Sequence, residues 1–355
     1  LLQGLPGLRN GRPVPDRNQA EPEAKTAEKK NDQEGTGAVS VVVMDGGAAA
    51  NADLPIHVEL LKIRDVRTTD PAALLDATAD LSSGDVVAIE YRLPDSQEIL
   101  RAELTAKPLP DEVPVYSGPV LEAMNLIGGA ELKRQAKMKA DAGADGAAQT
   151  ENSSEGTNGD GLERRELKFD ERGRAVILSS SKSSGVLPGV VVLLSAHAVP
   201  EEQIAAEWKP FLASHHLTVA IPMNPENTAL TSEDIPLIAT TLNGISSGGR
   251  ADLRRVVLVA DREQATLSLQ TAFGGPSPIR GIALTSGWFP SADLDGLNGD
   301  QQTMLMLETP KDAQAKLLLE KSRASLGKLG FWTPKSGENT AAETIANWSL
   351  QLRAF

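Results

Sequence analysis

The residues able to do chemistry are few, and their order along the chain limits what they can do. Histidine, the usual general base near neutral pH, occurs four times, at His57, His197, His215 and His216. Cysteine is absent, which removes a thiolate nucleophile, a thiolate zinc site, an iron–sulfur cluster and disulfides. His197 comes just after the apolar run Gly189-Val190-Val191-Val192-Leu193-Leu194-Ser195. That is the carboxyl end of an expected strand, where open parallel sheets bind ligands. Asp261, Arg262 and Glu263 close a second such run, Arg255-Val256-Val257-Leu258-Val259-Ala260, and Asp312 follows a later one. A site built from His197, Arg262 and Asp312 would join a base, a fixed cation and a carboxylate. The His215-His216 pair would need further convergent ligands to hold a metal, so no metal and no cofactor are assigned. His57, a single His in the turn Asp53-Leu54-Pro55-Ile56-His57-Val58, reads as a solvent-facing or satisfied side chain. Gly244-Ile245-Ser246-Ser247-Gly248-Gly249 has only the composition of a phosphate loop, since it follows a helix and lacks the GK[ST] ending.

The elements that must position these residues alternate between strand and helix. Strands are expected at 175–178, 189–195, 217–222, 255–260, 281–286 and 303–308, from continuous β-branched and aliphatic runs of the kind buried on both faces. Between them lie amphipathic or capped helices at 201–214, with Pro210 as a kink or early stop, at 232–246 with Ser232 as N-cap, and at 263–273. Helices at 312–329 and 341–352 complete the pattern. The order predicts an α/β fold with a doubly wound, mostly parallel sheet. The four Trp are expected to be core and interface mass.

On the segments VVVLLSAHAVPEEQIAAEWKPFLASHHLTVAIP and RRVVLVADREQATLSLQTAF, residues 165–355 resemble an α/β-hydrolase of the small esterase or dienelactone-hydrolase-like kind. The resemblance implies an oxyanion loop after the 189–195 strand and a nucleophile on a sharp turn, Gly-x-Ser-x-Gly. Here that turn reads Ala260-Asp261-Arg262-Glu263-Gln264, so the serine position holds Arg262 and both glycines are replaced. Asp312 falls where the family's acid would stand. The family's base comes last in chain order, near 337–339, yet no His follows residue 216. A Ser–His–Asp relay cannot be assembled in the family's manner. Arg262 and Asp312 are therefore expected to be relic positions, joined as an ion pair in the vacated site.

The N-terminal half differs in character. Pro15–Gly37 holds no Val, Ile, Leu, Met or aromatic residue and reads as disordered, as does the acidic linker at 142–161. The chain has 355 residues with a formal net charge of −13; residues 162–355 carry only −2 of it, and hold ten aromatic residues against Tyr91 and Tyr116 elsewhere. This acidic balance argues against non-specific nucleic-acid binding, and no apolar run approaches a membrane span. Residues 38–110 form a small α+β domain with a closing hairpin through Leu93-Pro94-Asp95-Ser96, and 111–141 reads as a helical extension. On VSVVVMDGGAAANADL, LLKIRDVRTTDPAALLDATADLSSGD and VVAIEYRLPDSQEILRAELTAKP, residues 38–108 resemble a degenerate PDZ domain of Deg/HtrA-type serine proteases.

That resemblance implies a protein or peptide partner, a periplasmic or extracytoplasmic setting, and a serine endopeptidase domain before Leu1. The chain opens without Met and is expected to be a fragment. The leading expectation is thus a non-catalytic binding or scaffolding part of a protease-associated protein, with an inactive hydrolase-like domain. The alternative is an esterase-like hydrolase with a site rearranged around His197, Arg262 and Asp312.

Overall fold

Two patterns of apolar residues build two different sheets, one alternating and one continuous. The computed structural model describes residues 38–39, 48–55, 58–68, 73, 77–78, 81–93, 96–107, 111–118, 120–122, 124–125, 156–158, 161–181, 186–194, 199–247, 251–275, 277–297, 303–306, 312–335 and 339–352. The chain divides into two units, Leu1–Leu109 and Pro110–Phe355. The lead at 1–37, expected to be disordered, and His57 lie outside the described residues, as do nearly all of the linker at 142–161 and most of the helical extension expected at 111–141.

The first unit is an antiparallel sheet. β1 (Ala38–Val39), β2 (Glu59–Ile63), β4 (Val86–Arg92) and β5 (Ile99–Thr105) lie in that order, and β3 (Val66–Arg67) also pairs with β2. The expected hairpin is present: β4 and β5 run in register from Val86↔Thr105 to Arg92↔Ile99. Alternation decides the buried face. Val87, Ile89 and Leu104 are buried with Leu60, Ile63 and Val58, while Val86 and Ile99 are exposed. A short helix, α1 (Ala48–Asn51), adds Ala48 to this core. A five-stranded antiparallel sheet with one short helix does not by itself make a PDZ domain. The stretches that would carry the family's binding loop and second helix are largely outside the described residues.

The second unit is an α/β fold around a mixed, mostly parallel sheet. Its strands are β6 (Gly156–Asn158), β7 (Leu162–Lys168), β8 (Arg174–Ser180), β9 (Gly189–Leu193), β10 (Leu217–Met223), β11 (Val256–Ala260), β12 (Gly281–Leu284) and β13 (Thr303–Met306). They lie in the order β13-β12-β11-β9-β10-β8-β7-β6. β13, β12, β11, β9 and β10 are parallel; β8 meets β10 antiparallel, and β7 and β6 continue that antiparallel end. All five residues of β9 and of β11 are buried, as sheets covered on both faces require.

The helices that cover the sheet are α2 (Glu201–Ser214), α3 (Ile235–Ser246), α4 (Ala265–Phe273), α5 (Ala313–Lys328) and α6 (Ala341–Gln351). One core joins Val190, Val192 and Leu258 to α3, α4 and α5. The other joins Val191, Leu193 and Val259 to Ile204 and Trp208 of α2 and to Ile345 and Trp348 of α6. No described helix is long and apolar enough to cross a membrane.

Three local expectations change. α2 does not stop at Pro210 but runs on to Ser214, with Ile204, Trp208 and Leu212 buried. The cap of the segment expected at 232–246 is Thr231, not Ser232: the Thr231 hydroxyl accepts the Glu233 N–H, and Asp234 accepts the Thr231 N–H at 2.8 Å. β7 is an added strand. Its sequence, Leu-Glu-Arg-Arg-Glu-Leu-Lys, hides a strand because its charges are paired, Arg164 with Glu201 and Glu166 with Arg174 at 3.3 Å.

Candidate functional site at the carboxyl edge

The chain crosses β9 between β10 and β11, so the sheet changes winding direction at β9 and β11. Their carboxyl ends form the crevice where such sheets bind ligands. The turn after β11 is where a hydrolase of the expected kind would present its nucleophile, and it has been rebuilt. Asp261 Oδ1 accepts the backbone N–H groups of Glu263 at 2.8 Å and Gln264 at 3.0 Å, which closes an Asp-anchored turn just ahead of α4, whose own N-cap, Gln264, makes no side-chain cap bond. Left-handed φ among described non-glycine residues occurs at Asp53, Arg64, Asp170, His216 and Asn227, and not at Arg262. The sharp, strained elbow is therefore relaxed into an ordinary strand–helix turn.

Arg262 has a definite place. Its guanidinium carbon lies 4.2 Å from the centroid of the Trp288 ring. Its stem lies against Gly287, which has φ +87°, and a Cβ there would stand 2.7 Å from the Arg262 Cβ. Glycine is needed at 287 both for its backbone angle and for this approach. Asp312 is the N-cap of α5, its Oδ2 accepting the Ala315 N–H at 2.7 Å. Arg262 and Asp312 are not joined by an ion pair, because each already serves a local partner. The sequence places both residues on the carboxyl-edge loops but not their partners. His197 lies outside the described residues.

Beside the turn, the carboxyl ends of β9 and β11 open into a chamber of about 220 Å³. Leu193, Ile204, Trp208, Val259 and Ile345 make its apolar wall, and Thr285 and Glu207 bring polar groups to it. Thr285 is tied to the β11 end, its N–H donating to the Ala260 carbonyl at 2.9 Å. Trp208 is buried and Glu207 exposed. The sequence reading took Trp208 as core mass and passed over Thr285 and Glu207. The available signal was that Glu207 stands three residues after Ile204 on a helix whose apolar stripe faces the sheet.

The His215-His216 pair lies at the opposite, amino edge, just before β10. His215 Nε2 faces Asn347 Oδ1 at 3.3 Å, and Ser214 Oγ lies 2.9 Å from His215 Nδ1. Asn347 Oδ1 also accepts the Tyr116 N–H at 2.9 Å, and Asn347 Nδ2 donates to the Glu343 carbonyl at 3.0 Å. Asn347 is thereby fixed in orientation, and His215 donates to it from Nε2. Burial lowers the His215 pKa to about 4; the Asn347 bond opposes this, and Arg255 and His216 add to it. Among the described residues no group of three metal-ligating side chains converges.

No family model matches the chain, and no curated protein matches it. Solved structures do resemble it. MGS-M1, an alpha/beta hydrolase enzyme from a Medee basin deep-sea metagenome library, is 10% identical over 50% of this chain and 81% of that one, with a TM-score of 0.39. Carboxyl esterase 2 from the mycorrhizal fungus Tuber melanosporum is 11% identical over 56% and 89%, with a TM-score of 0.40. A dienelactone hydrolase-like promiscuous phosphotriesterase, P91, from metagenomic libraries is 15% identical over 50% and 82%, with a TM-score of 0.37. The expectation of a non-catalytic scaffold is corrected here: the similar solved structures named above are hydrolases and a carboxyl esterase. The PDZ, peptide-partner and protease-associated expectations receive no support from these comparisons.

Proposed function

We propose that the second unit is an esterase-like hydrolase with a rearranged site at the carboxyl edge of its sheet. The observation that carries this reading is the apolar chamber between the ends of β9 and β11, at the point where the winding reverses. In this reading the chamber holds the apolar part of a small ester. His197, on the segment that follows β9, takes a proton from water as the water oxygen bonds to the ester carbonyl carbon. It returns that proton to the alkoxide as the C–O bond breaks. The exposed guanidinium of Arg262, steadied by Trp288, is assigned to the developing oxyanion, a role for a fixed cation that stays protonated. Asp312 holds the start of α5.

The test is turnover of p-nitrophenyl acetate, butyrate and octanoate by the full chain. Turnover above the blank that disappears in His197→Ala, and drops about a hundredfold in kcat in Arg262→Ala, supports the reading. An absence of turnover across the series, with the protein folded, removes it.

A further inference from the structure

The chamber has one more property, the sign of its charge. Leu193, Ile204, Trp208 and Val259 give it apolar walls, and Glu207 is the one charged side chain among the described residues that line it. Glu207 is exposed, so its carboxylate belongs to the rim and keeps its hydration. A cavity of about 150 Å³ holds a benzene ring. At about 220 Å³, this chamber has room for a ring or a chain of a few carbons. An apolar body seated there places its polar end at the rim, beside a negative charge. The low-dielectric wall on one side strengthens that field relative to open water.

We infer that the chamber selects small apolar ligands that carry an ammonium group, with Glu207 as the charge-selecting residue. The inference rests on the proposed hydrolase reading only in taking the chamber as the ligand site. Under both, the substrate is an ester whose chamber-filling part ends in a cation. Trp208, in the wall, is a built-in reporter.

Cyclohexylammonium, cyclohexanol and cyclohexanecarboxylate share one body and differ in charge, and none absorbs where Trp emits. Titrating each into the full chain, followed by Trp emission and by ligand-observed saturation-transfer NMR, should rank them ammonium, alcohol, carboxylate. An exposed ion pair implies about threefold between neighbours. Glu207→Gln, an isosteric surface change, should bring the three affinities together and leave the alcohol's unchanged. Equal affinities in the wild type, tighter binding of the carboxylate, a ranking that survives Glu207→Gln, or no saturable binding of any of the three overturns the inference. Failure of ester turnover with the ranking intact removes only the hydrolase reading.

Discussion

The two edges of the eight-stranded sheet are built on opposite principles. At the amino edge, polar groups are buried and joined. Arg255 is fully buried, and its Nη2 donates to the His215 carbonyl at 2.8 Å and to Ser349 Oγ at 3.0 Å, while Nε reaches the Ser349 carbonyl at 3.3 Å. Asn347 links His215 to Tyr116, and Gln351 Nε2 donates to the Tyr116 hydroxyl at 2.7 Å. The segment around Val113 and Tyr116 is thereby fastened to α6. At the carboxyl edge Arg262 is exposed and held by a ring face, and the ends of β9 and β11 border an open chamber with apolar walls. A buried network makes one arrangement unique, because any loosened partner is left without water. The contrast therefore separates a fastening edge from an edge that can receive a ligand.

Breaking the fastening edge should have the larger effects. Trp348 is fully buried and so close to Gly281 that a Cβ at 281 would overlap its ring. Trp348→Ala is expected to lose about 4 kcal/mol of unfolding free energy, read as a lower urea midpoint. A loss below about 1 kcal/mol would mean that α6 can reseat without its anchor. Arg255→Met keeps the apolar stem and removes four donor contacts, leaving the His215 and Ser349 carbonyls short of partners. About 3 kcal/mol should be lost. A neutral result would make the network ornamental.

Acid offers a gentler way to load the same edge. In the unfolded chain His215 titrates near 6.5, whereas burial holds the folded group at about 4. The unfolded chain takes up the proton first. The contribution is whole above pH 6.5 and is lost as pH falls from there through 4. Between pH 7.5 and 5 it amounts to about 2 kcal/mol. Arg255 and His216 are the positive neighbours that oppose charging within the fold. The difference in stability between wild type and His215→Gln, followed against pH, should carry this slope; parallel curves would remove it.

The sequence made the parallel sheet readable because β9 and β11 are continuous apolar runs, and such runs need no knowledge of a partner. β7 escaped because Arg164 and Glu166 look solvated until Glu201 and Arg174 are brought beside them from other elements. The candidate site divides in the same way. Arg262 and Asp312 were identifiable by position, since both follow strand runs at one edge. The partner of Asp312 is local, the N–H three residues on in the same helix start, whereas that of Arg262 was not identifiable, because Trp288 reaches it only through the fold. The chamber was invisible for the same reason, being assembled from β9, α2, β11, α6 and the residue after β12.

The smallest expected stability effect tests the receiving edge. Arg262→Ala removes a cation from over the Trp288 ring at an exposed position, where such a contact contributes about 0.5–1 kcal/mol. The Asp261 turn ahead of α4 stays, because it is made to backbone N–H groups that the substitution leaves in place. The urea midpoint should therefore shift by no more than about 0.5–1 kcal/mol in free energy, several times less than for Arg255→Met. Emission from Trp288, one of four Trp, should change as the guanidinium leaves its face. A loss as large as that of Arg255→Met would make the carboxyl-edge arginine a structural clamp and erase the distinction between the two edges. A small loss leaves Arg262 free to be spent on a ligand, because stability does not require it there.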